Sequence, residues 1–351
     1  MADHPWEALP PTRRRVAHTE AVLHMPNQKF DTCIDLTGLT GLEGPLRAAV
    51  SVTLPSRDID RPCVVAFAFP GAGYSRGYFD LQVPGLSGYS QAEYHAEQGW
   101  IFVSCDHLGT GASSLPDPEL LSFEVLAAGD DAVVRAAVKG LRDGTLLEGV
   151  APVKIAGVLG MGQSMGGCLA VVAQGVHRTF DAMAVLGFSS IHTVLPSPQG
   201  DVEIAPVQRD ATGLAEAASA AALGEVVPFE WAFHWEDVPR SLTELDVGEG
   251  FPLRLGDLPP WGSQSIPPVA IAMLTAGVVS NEAASIMVPV FVGAGERDVV
   301  PDPHAEPRAY RASTDVTVVV VPKMAHMHNF AGTRTALWRR LHRWGDTVLS
   351  S

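Results

Sequence analysis

Apolar residues in this chain come in short unbroken runs separated by longer amphipathic stretches, and that alternation sets the expected elements. Cys63–Phe69, Trp100–Cys105, Ala182–Gly187, Val288–Gly293 and Val316–Val321 are almost wholly apolar. That is the pattern of strands buried on both faces of a sheet. Phe30–Leu36 and Leu46–Leu54 alternate apolar with polar residues and are expected as edge strands joined through a glycine-rich turn. Between the runs, Ser90–Gln98, Phe123–Leu141 and Thr333–Leu349 read as helices. The last carries Leu337, Trp338, Leu341, Trp344 and Val348 on one side. This order predicts an α/β fold: a mostly parallel central sheet with helices on both faces.

The rhythm fails in two places. Residues 1–29 are rich in proline and charge without a clear period, and are expected as an N-terminal arm. Residues 194–286 carry many prolines and helix-like pieces such as Thr212–Leu223 and Pro268–Val278. A structureless stretch that long does not suit a compact domain, so it reads as an inserted, mainly helical lid. The core is then 30–193 together with 287–351. Phe229, Trp231, Phe233, Trp235 and Trp261 are too many large apolar groups for a solvated loop. Most are expected to form the lid's own core. Trp231, Phe233 and Trp235, with Tyr74 from the sheet domain, are the candidates for lining a substrate pocket. His234, among these aromatics, reads as a hydrogen-bonded lid residue.

Charge removes several function classes. With 39 acidic against 24 basic residues the net charge is −15, which disfavours nucleic acid or an anionic membrane surface as a partner. The one basic cluster, Arg13-Arg14-Arg15, is followed by no apolar run and so makes no export signal. Ile266–Val279 is the least polar stretch, but it contains Pro267 and Pro268 and is too short to span a bilayer. The four cysteines, Cys33, Cys63, Cys105 and Cys168, form no C-x-x-C pair. They suit a reduced, cytoplasmic protein with no structural metal. No cofactor is called for, and self-association into a homo-oligomer is left open.

Candidate chemistry centres on residues 154–175, an apolar strand, a turn at Gly162-Gln163-Ser164-Met165-Gly166, and a helix. A strand that reverses into a helix with almost no loop brings the residues on either side of the turn into near contact. Only glycine fits at 162 and 166, and the serine is lifted above the sheet edge in a strained conformation. Alone, the same pattern describes a glycine-rich turn that binds nothing. Its partners should lie at the carboxyl ends of other parallel strands. After Val288–Gly293 come Glu296, Asp298 and Asp302, of which Asp298 is the natural orienting carboxylate. After Val316–Val321 come His326 and His328, either of which could accept a serine proton. As a metal site, His-x-His lacks nearby ligands to complete it.

In the order Ser164, Asp298, His326, the sequence resembles the α/β-hydrolase superfamily over roughly residues 46–193 and 287–345. Pro70-Gly71-Ala72-Gly73 is similar to that superfamily's oxyanion loop, with proline in place of the usual histidine. Asp106-His-Leu-Gly-Thr-Gly-Ala-Ser113 is similar to its Asp-x-x-Gly-x-Gly-x-Ser turn. The resemblance implies that Ser164 is a nucleophile, Asp298 orients the base, and His326 is that base because Ala325-His326 stands just past the strand. His328 is then expected to cap or pack against the last helix. Met165 and either Ala72 or Gly73 would donate backbone N–H groups to the oxyanion. The implied activity is hydrolysis of a small, largely apolar carboxylic ester or lactone. An acyltransferase with the same triad and a non-catalytic ligand receptor are the alternatives.

Overall fold

Eight strands form one sheet: β1 (Gln28–Asp35), β2 (Arg47–Leu54), β3 (Cys63–Phe69), β4 (Ile101–Cys105), β5 (Ile155–Gln163), β6 (Ala182–Leu186), β7 (Val290–Arg297) and β8 (Val316–Ala325). The structure, a computed structural model, describes residues 27–56, 61–203, 205–209, 227–248, 251, 252, 254 and 256–349. Most of the expected arm and the helix expected over Thr212–Leu223 therefore lie outside the described residues. The strands lie in the order β1-β2-β4-β3-β5-β6-β7-β8. From β4 through β3 to β8 all pairings are parallel, while β2 runs antiparallel to both β1 and β4. Every residue of β3, β4 and β6 is buried, as continuous apolar runs require.

Two boundary expectations are corrected. Leu46–Leu54 is not an edge strand, because β2 is paired on both sides, so only β1 and β8 are edges. Its residues 48–50 are all buried, and the alternation that suggested an edge reflects its antiparallel pairing. Strand β8 runs on through Pro322 to Ala325, pairing Ala325 with Arg297 across a register shift between Gly295 and Arg297. On an edge strand proline leaves no partner unsatisfied.

The helices of the core are α1 (Gln91–Glu97), α2 (Phe123–Asp143) and α3 (Met165–His177); those of the insertion are α4 (Phe229–Phe233), α5 (Arg240–Asp246), α6 (Val269–Ala272) and α7 (Ser280–Ser285); α8 (Arg334–Leu349) closes the chain. Ser90 and Ser122 cap α1 and α2 by accepting the Glu93 and Val125 amides, and Gly144 ends α2 in the left-handed conformation. Alternate residues of β5 face opposite helices. A side chain at Gly157 would meet Leu349 of α8, while one at Gly162 would meet Gly166 of α3.

Within 194–286 the described residues include the four short helices α4 to α7. These are only four to seven residues long. Pro228, Pro239 and Pro268 stand at the N-caps of α4, α5 and α6. Proline favours a helix start but keeps the preceding residue extended, so none of these helices extends backwards. The helix expected over Pro268–Val278 is reduced to Val269–Ala272, followed by turns and Gly277 at φ 71°.

The turn from β5 into α3 positions the candidate site. Ser164 has φ 54° and ψ −117°, a conformation costing on the order of 1–3 kcal/mol that persists only because its surroundings over-determine it. Its amide donates to Leu186 O of β6 at 2.8 Å, and its carbonyl accepts Cys168 N at 3.1 Å. A Cβ at Gly162 would collide with the Gly166 carbonyl, and one at Gly166 with the Phe69 carbonyl. Both obstacles are backbone, so neither can swing away. We expect Gly162→Ala to destabilise the protein by about 2 kcal/mol or more, seen as a lowered Tm. An unchanged Tm would contradict this account of the turn.

Candidate active site

Three strand ends bring the candidate side chains together. Ser164 follows β5, Asp298 follows β7, and His326 follows β8, where the ends of parallel strands carry working loops. Asp298 Oδ1 accepts His326 Nδ1 at 2.7 Å. Ser164 and His326 line one cavity. The Ser164 hydroxyl makes no capping bond to α3, the helix it begins. Gly187, which ends β6 at φ 56°, lies against the pair: a Cβ there would be 3.1 Å from His326 Nδ1 and 3.3 Å from Asp298 Oδ1.

Asp298 is buried and fully bonded. Beside His326, it accepts Val299 N on Oδ1 at 2.8 Å, and Gly295 N and His328 Nε2 on Oδ2 at 2.8 and 2.7 Å. Burial opposes its charge, but the neighbouring His328 and the donors around it hold its carboxyl far below the usual carboxylate range. An ionised carboxylate can only accept, so Nδ1 of His326 is the donor of that bond. Gln163 Nε2 donates to the His326 carbonyl at 3.1 Å, and the Phe233 ring lies 4.8 Å from the imidazole.

The other sequence candidates lie elsewhere. Glu296 accepts the Lys323 amide, and Asp302 caps a short 3-10 turn by accepting His304 N. His328 neither caps nor merely packs against the last helix. It opens a 3-10 turn before α8, buried, with its ring turned back to Asp298. Among the four expected pocket residues, only Phe233 lines the cavity. Tyr74 is buried beneath the insertion on Asp246, and Trp231 and Trp235 flank the Arg297 guanidinium at 4.1 and 4.6 Å. The reason is shared: Trp and Tyr carry polar or cation-binding faces that Arg297 and Asp246 satisfy, which leaves the plain apolar rings for the cavity. His234 is hydrogen-bonded within the insertion, Nε2 to Asp246 Oδ2 at 2.9 Å.

The cavity, about 290 Å³, is walled by Phe229, Phe233 and Phe251 together with Ile266, Leu274 and other apolar groups. Among the described residues no Asp, Glu, Lys or Arg faces it. Ala72 lines it beside Ser164, whereas Gly73 does not. The loop that carries Ala72 is held from below by His107, which bonds Pro70 O through Nε2 at 3.2 Å and the Asp130 carboxylate through Nδ1 at 2.9 Å. In the following turn Asp106 accepts Ala112 N at 2.8 Å and the Arg76 guanidinium at 2.6 Å, while Ser113 is buried on Asp106 O.

No protein-family model matches the sequence, and no curated protein matches it. Solved structures do. A thermophilic esterase from Thermogutta terrifontis superimposes with a TM-score of 0.62 at 15% identity, covering 91% of this chain and 99% of that one. A monoglyceride lipase from Saccharomyces cerevisiae gives 0.57 at 13% identity, covering 89% and 94%. A peroxisomal alpha-beta-hydrolase from the same yeast gives 0.55 at 11% identity, covering 93% and 90%. The chain has the α/β-hydrolase fold.

Within that fold, four site-shaping residues escaped the sequence. Gly187 and Gln163 carried a weak signal, each adjoining the end of an apolar strand. His328 was visible but given a different partner. Asp246 had no signal: Arg254, His234 and Trp261 are near it in the chain but in no recognisable spacing, and Tyr74 lies 172 residues away. Among the described residues no helix is long and apolar enough to cross a membrane.

The depressed Asp298 carboxyl predicts a pH dependence. Its folded pKa lies below the unfolded value near 4, so its ionised form stabilises the protein fully above about pH 4 and loses that effect as pH falls further. Asp298→Asn should be less stable in urea than the parent by a constant margin from pH 7 to about 5, and the margin should shrink below about pH 4. A margin that grows on acidification would contradict this.

Proposed function

We propose that the protein is a serine hydrolase that cleaves a carboxylic ester or lactone of a largely apolar small molecule through an acyl-enzyme. The observation that carries this reading is the arrangement in one apolar cavity of Ser164 on its strained turn and His326 bonded to a buried carboxylate. Residues 194–286 act in it as the lid over the sheet, and Met165 and Ala72 as the oxyanion donors; Ala72 is favoured over Gly73 because it lines the cavity.

Ser164 Oγ attacks the carbonyl carbon while His326 Nε2 takes its proton. Asp298, already ionised, stabilises the imidazolium without taking a proton. The carbonyl oxygen becomes an oxyanion between the N–H groups of Met165 and Ala72, the first at the positive end of α3. Collapse of the tetrahedral intermediate breaks the bond to the leaving oxygen, which receives the proton from His326. Water then attacks the acyl-Ser164 ester, gives a proton to His326, and releases the acid as the proton returns to Oγ. With no charged group in the wall among the described residues, the cavity suits a neutral acyl group. A dry apolar cavity of about 150 Å³ takes one benzene, so this one suits an acyl group of roughly twice that bulk.

Ser164→Ala should abolish labelling by a fluorophosphonate and lower turnover by a factor on the order of 10⁴–10⁶. His326→Ala should cost nearly as much, and His328→Ala, which removes one of four donors to Asp298, about 10- to 100-fold. Labelling that persists at another serine, or a larger loss at His328 than at His326, would overturn these assignments.

Size selectivity gives a separate test. On p-nitrophenyl esters of graded chain length, Leu274→Trp should suppress turnover of the longer acyl groups while sparing acetate. An unchanged profile would place the acyl group outside this cavity.

A further inference from the structure

Asp246 sits at the end of α5, fully buried, and the reaction described above makes no use of it. Four side chains donate to its carboxylate: Tyr74 Oη at 2.7 Å, His234 Nε2 at 2.9 Å, Trp261 Nε1 at 2.7 Å and Arg254 Nη2 at 3.1 Å. Arg254 is buried too. Its Nε donates to the Asp246 carbonyl at 3.1 Å and its Nη1 to the carbonyl of Gly73, with the guanidinium 4.7 Å from the Tyr74 ring centre. Removing an aspartate and an arginine from water is costly, and apolar residues of the same volume would pack as well. What such residues could not do is hold a particular carbonyl in a fixed direction.

The carbonyl held is in the oxyanion loop. Gly73 O also accepts Ser263 N at 3.0 Å, and Ser75 N donates to Trp261 O at 2.8 Å. Tyr74, anchored on Asp246 through its hydroxyl, donates its own amide to Gly71 O at 3.2 Å. Gly71 C=O and Ala72 N–H belong to one planar peptide unit. Fixing that carbonyl therefore fixes the direction of the N–H of Ala72, a residue that lines the cavity together with Ser164. Gly71 itself has no room to shift towards the turn, since a Cβ there would be 3.1 Å from Ser164 Cβ.

We propose that the Asp246–Arg254 ion pair is the positioning device of the oxyanion hole, acting through Tyr74 and Gly73 on the Gly71–Ala72 peptide. The insertion then does two jobs: α4 and α6 wall the cavity, while Asp246, Arg254, Trp261 and Ser263 set a loop of the sheet domain. This inference rests on the hydrolase reading above.

The test uses the full chain with Arg254→Met, Arg254→Lys and Tyr74→Phe, assayed on a p-nitrophenyl ester. Arg254→Met should lower kcat about 10²- to 10³-fold, the scale of one displaced oxyanion donor, with KM within about threefold of the parent. Affinity for an alkyl trifluoromethyl ketone, which binds as a tetrahedral oxyanion, should fall by the same factor as kcat/KM, while affinity for the free acid product stays put. Arg254→Lys, which can still reach Gly73 O with one donor, should recover at least about tenfold of the loss. Tyr74→Phe leaves both charges paired and so keeps its fold; it should lose about five- to tenfold in kcat with little change in KM. Variants that lose thermal stability but keep kcat and ketone affinity per folded molecule would overturn the proposal and leave the network a structural staple. Absence of both turnover and Ser164 labelling in the parent chain would overturn the hydrolase reading and this inference with it. A labelled, active parent with unimpaired Tyr74→Phe and Arg254→Met overturns this inference alone.

Discussion

A carboxylate removed from water must be given donors to replace those it lost, and the site is built around one that has been. Asp298 takes two backbone amides and two imidazoles within 2.8 Å, one for each lone-pair direction of its two oxygens. That saturation keeps it ionised despite burial, and His326 donates to it through Nδ1 from the wall of the cavity that Ser164 also lines. Without the backbone amides of Gly295 and Val299 the carboxylate would be an expensive buried charge. With them it is a rigid reference point, placed by the end of a central strand and unable to rotate without breaking four bonds.

The sheet supplies the other half of the constraint. Gln163 of β5 pairs with Leu186 of β6, and Leu186 with Gly293 of β7, so Ser164 and Gly187 leave the sheet side by side, while β7 runs on to Arg297 before the turn that carries Asp298, whose Oδ1 lies against Gly187. Glycine at 187 leaves the space that the imidazole and carboxylate fill. The backbone strain at Ser164 is held by a hydrogen bond to Leu186 on the neighbouring strand and by crowding from the Phe69 carbonyl. A second buried carboxylate, Asp246, repeats the four-donor solution with side chains alone. The two differ in reach. Asp298 is served by donors close in sequence or on the next loop, whereas Asp246 collects Tyr74 from more than 170 residues away.

Legibility in the sequence followed the range of the interactions. The buried strands were readable because a two-sided strand must be apolar throughout, and α1 and α2 because their capping serines and the terminal Gly144 act locally. The glycine at 162 was readable for the same reason, since the Gly166 carbonyl it avoids lies within the turn, whereas the obstacle at Gly166 is the Phe69 carbonyl of β3. The antiparallel partner of β2, the bond of His328 to Asp298 and the bond of Tyr74 to Asp246 were not readable, because each depends on chain that arrives from elsewhere. The pocket aromatics show the limit most clearly. Trp231 and Trp235 share composition and neighbourhood with Phe233, yet Arg297 claims both indoles and only the phenylalanine reaches the cavity. The helix expected over Pro268–Val278 shrank to Val269–Ala272 because a run of alanines and valines after two prolines carries helical propensity without the length to use it.

The central claim is that a covalent bond forms at Ser164 during turnover. The direct measurement is to mix the protein with a p-nitrophenyl ester, quench in acid during steady state, and map the mass of the acyl group onto proteolytic peptides. The account predicts an adduct of one acyl group, located on the peptide at Ser164 and absent from Ser164→Ala. Turnover that proceeds with no adduct at Ser164, or with the acyl group on another residue, would contradict it.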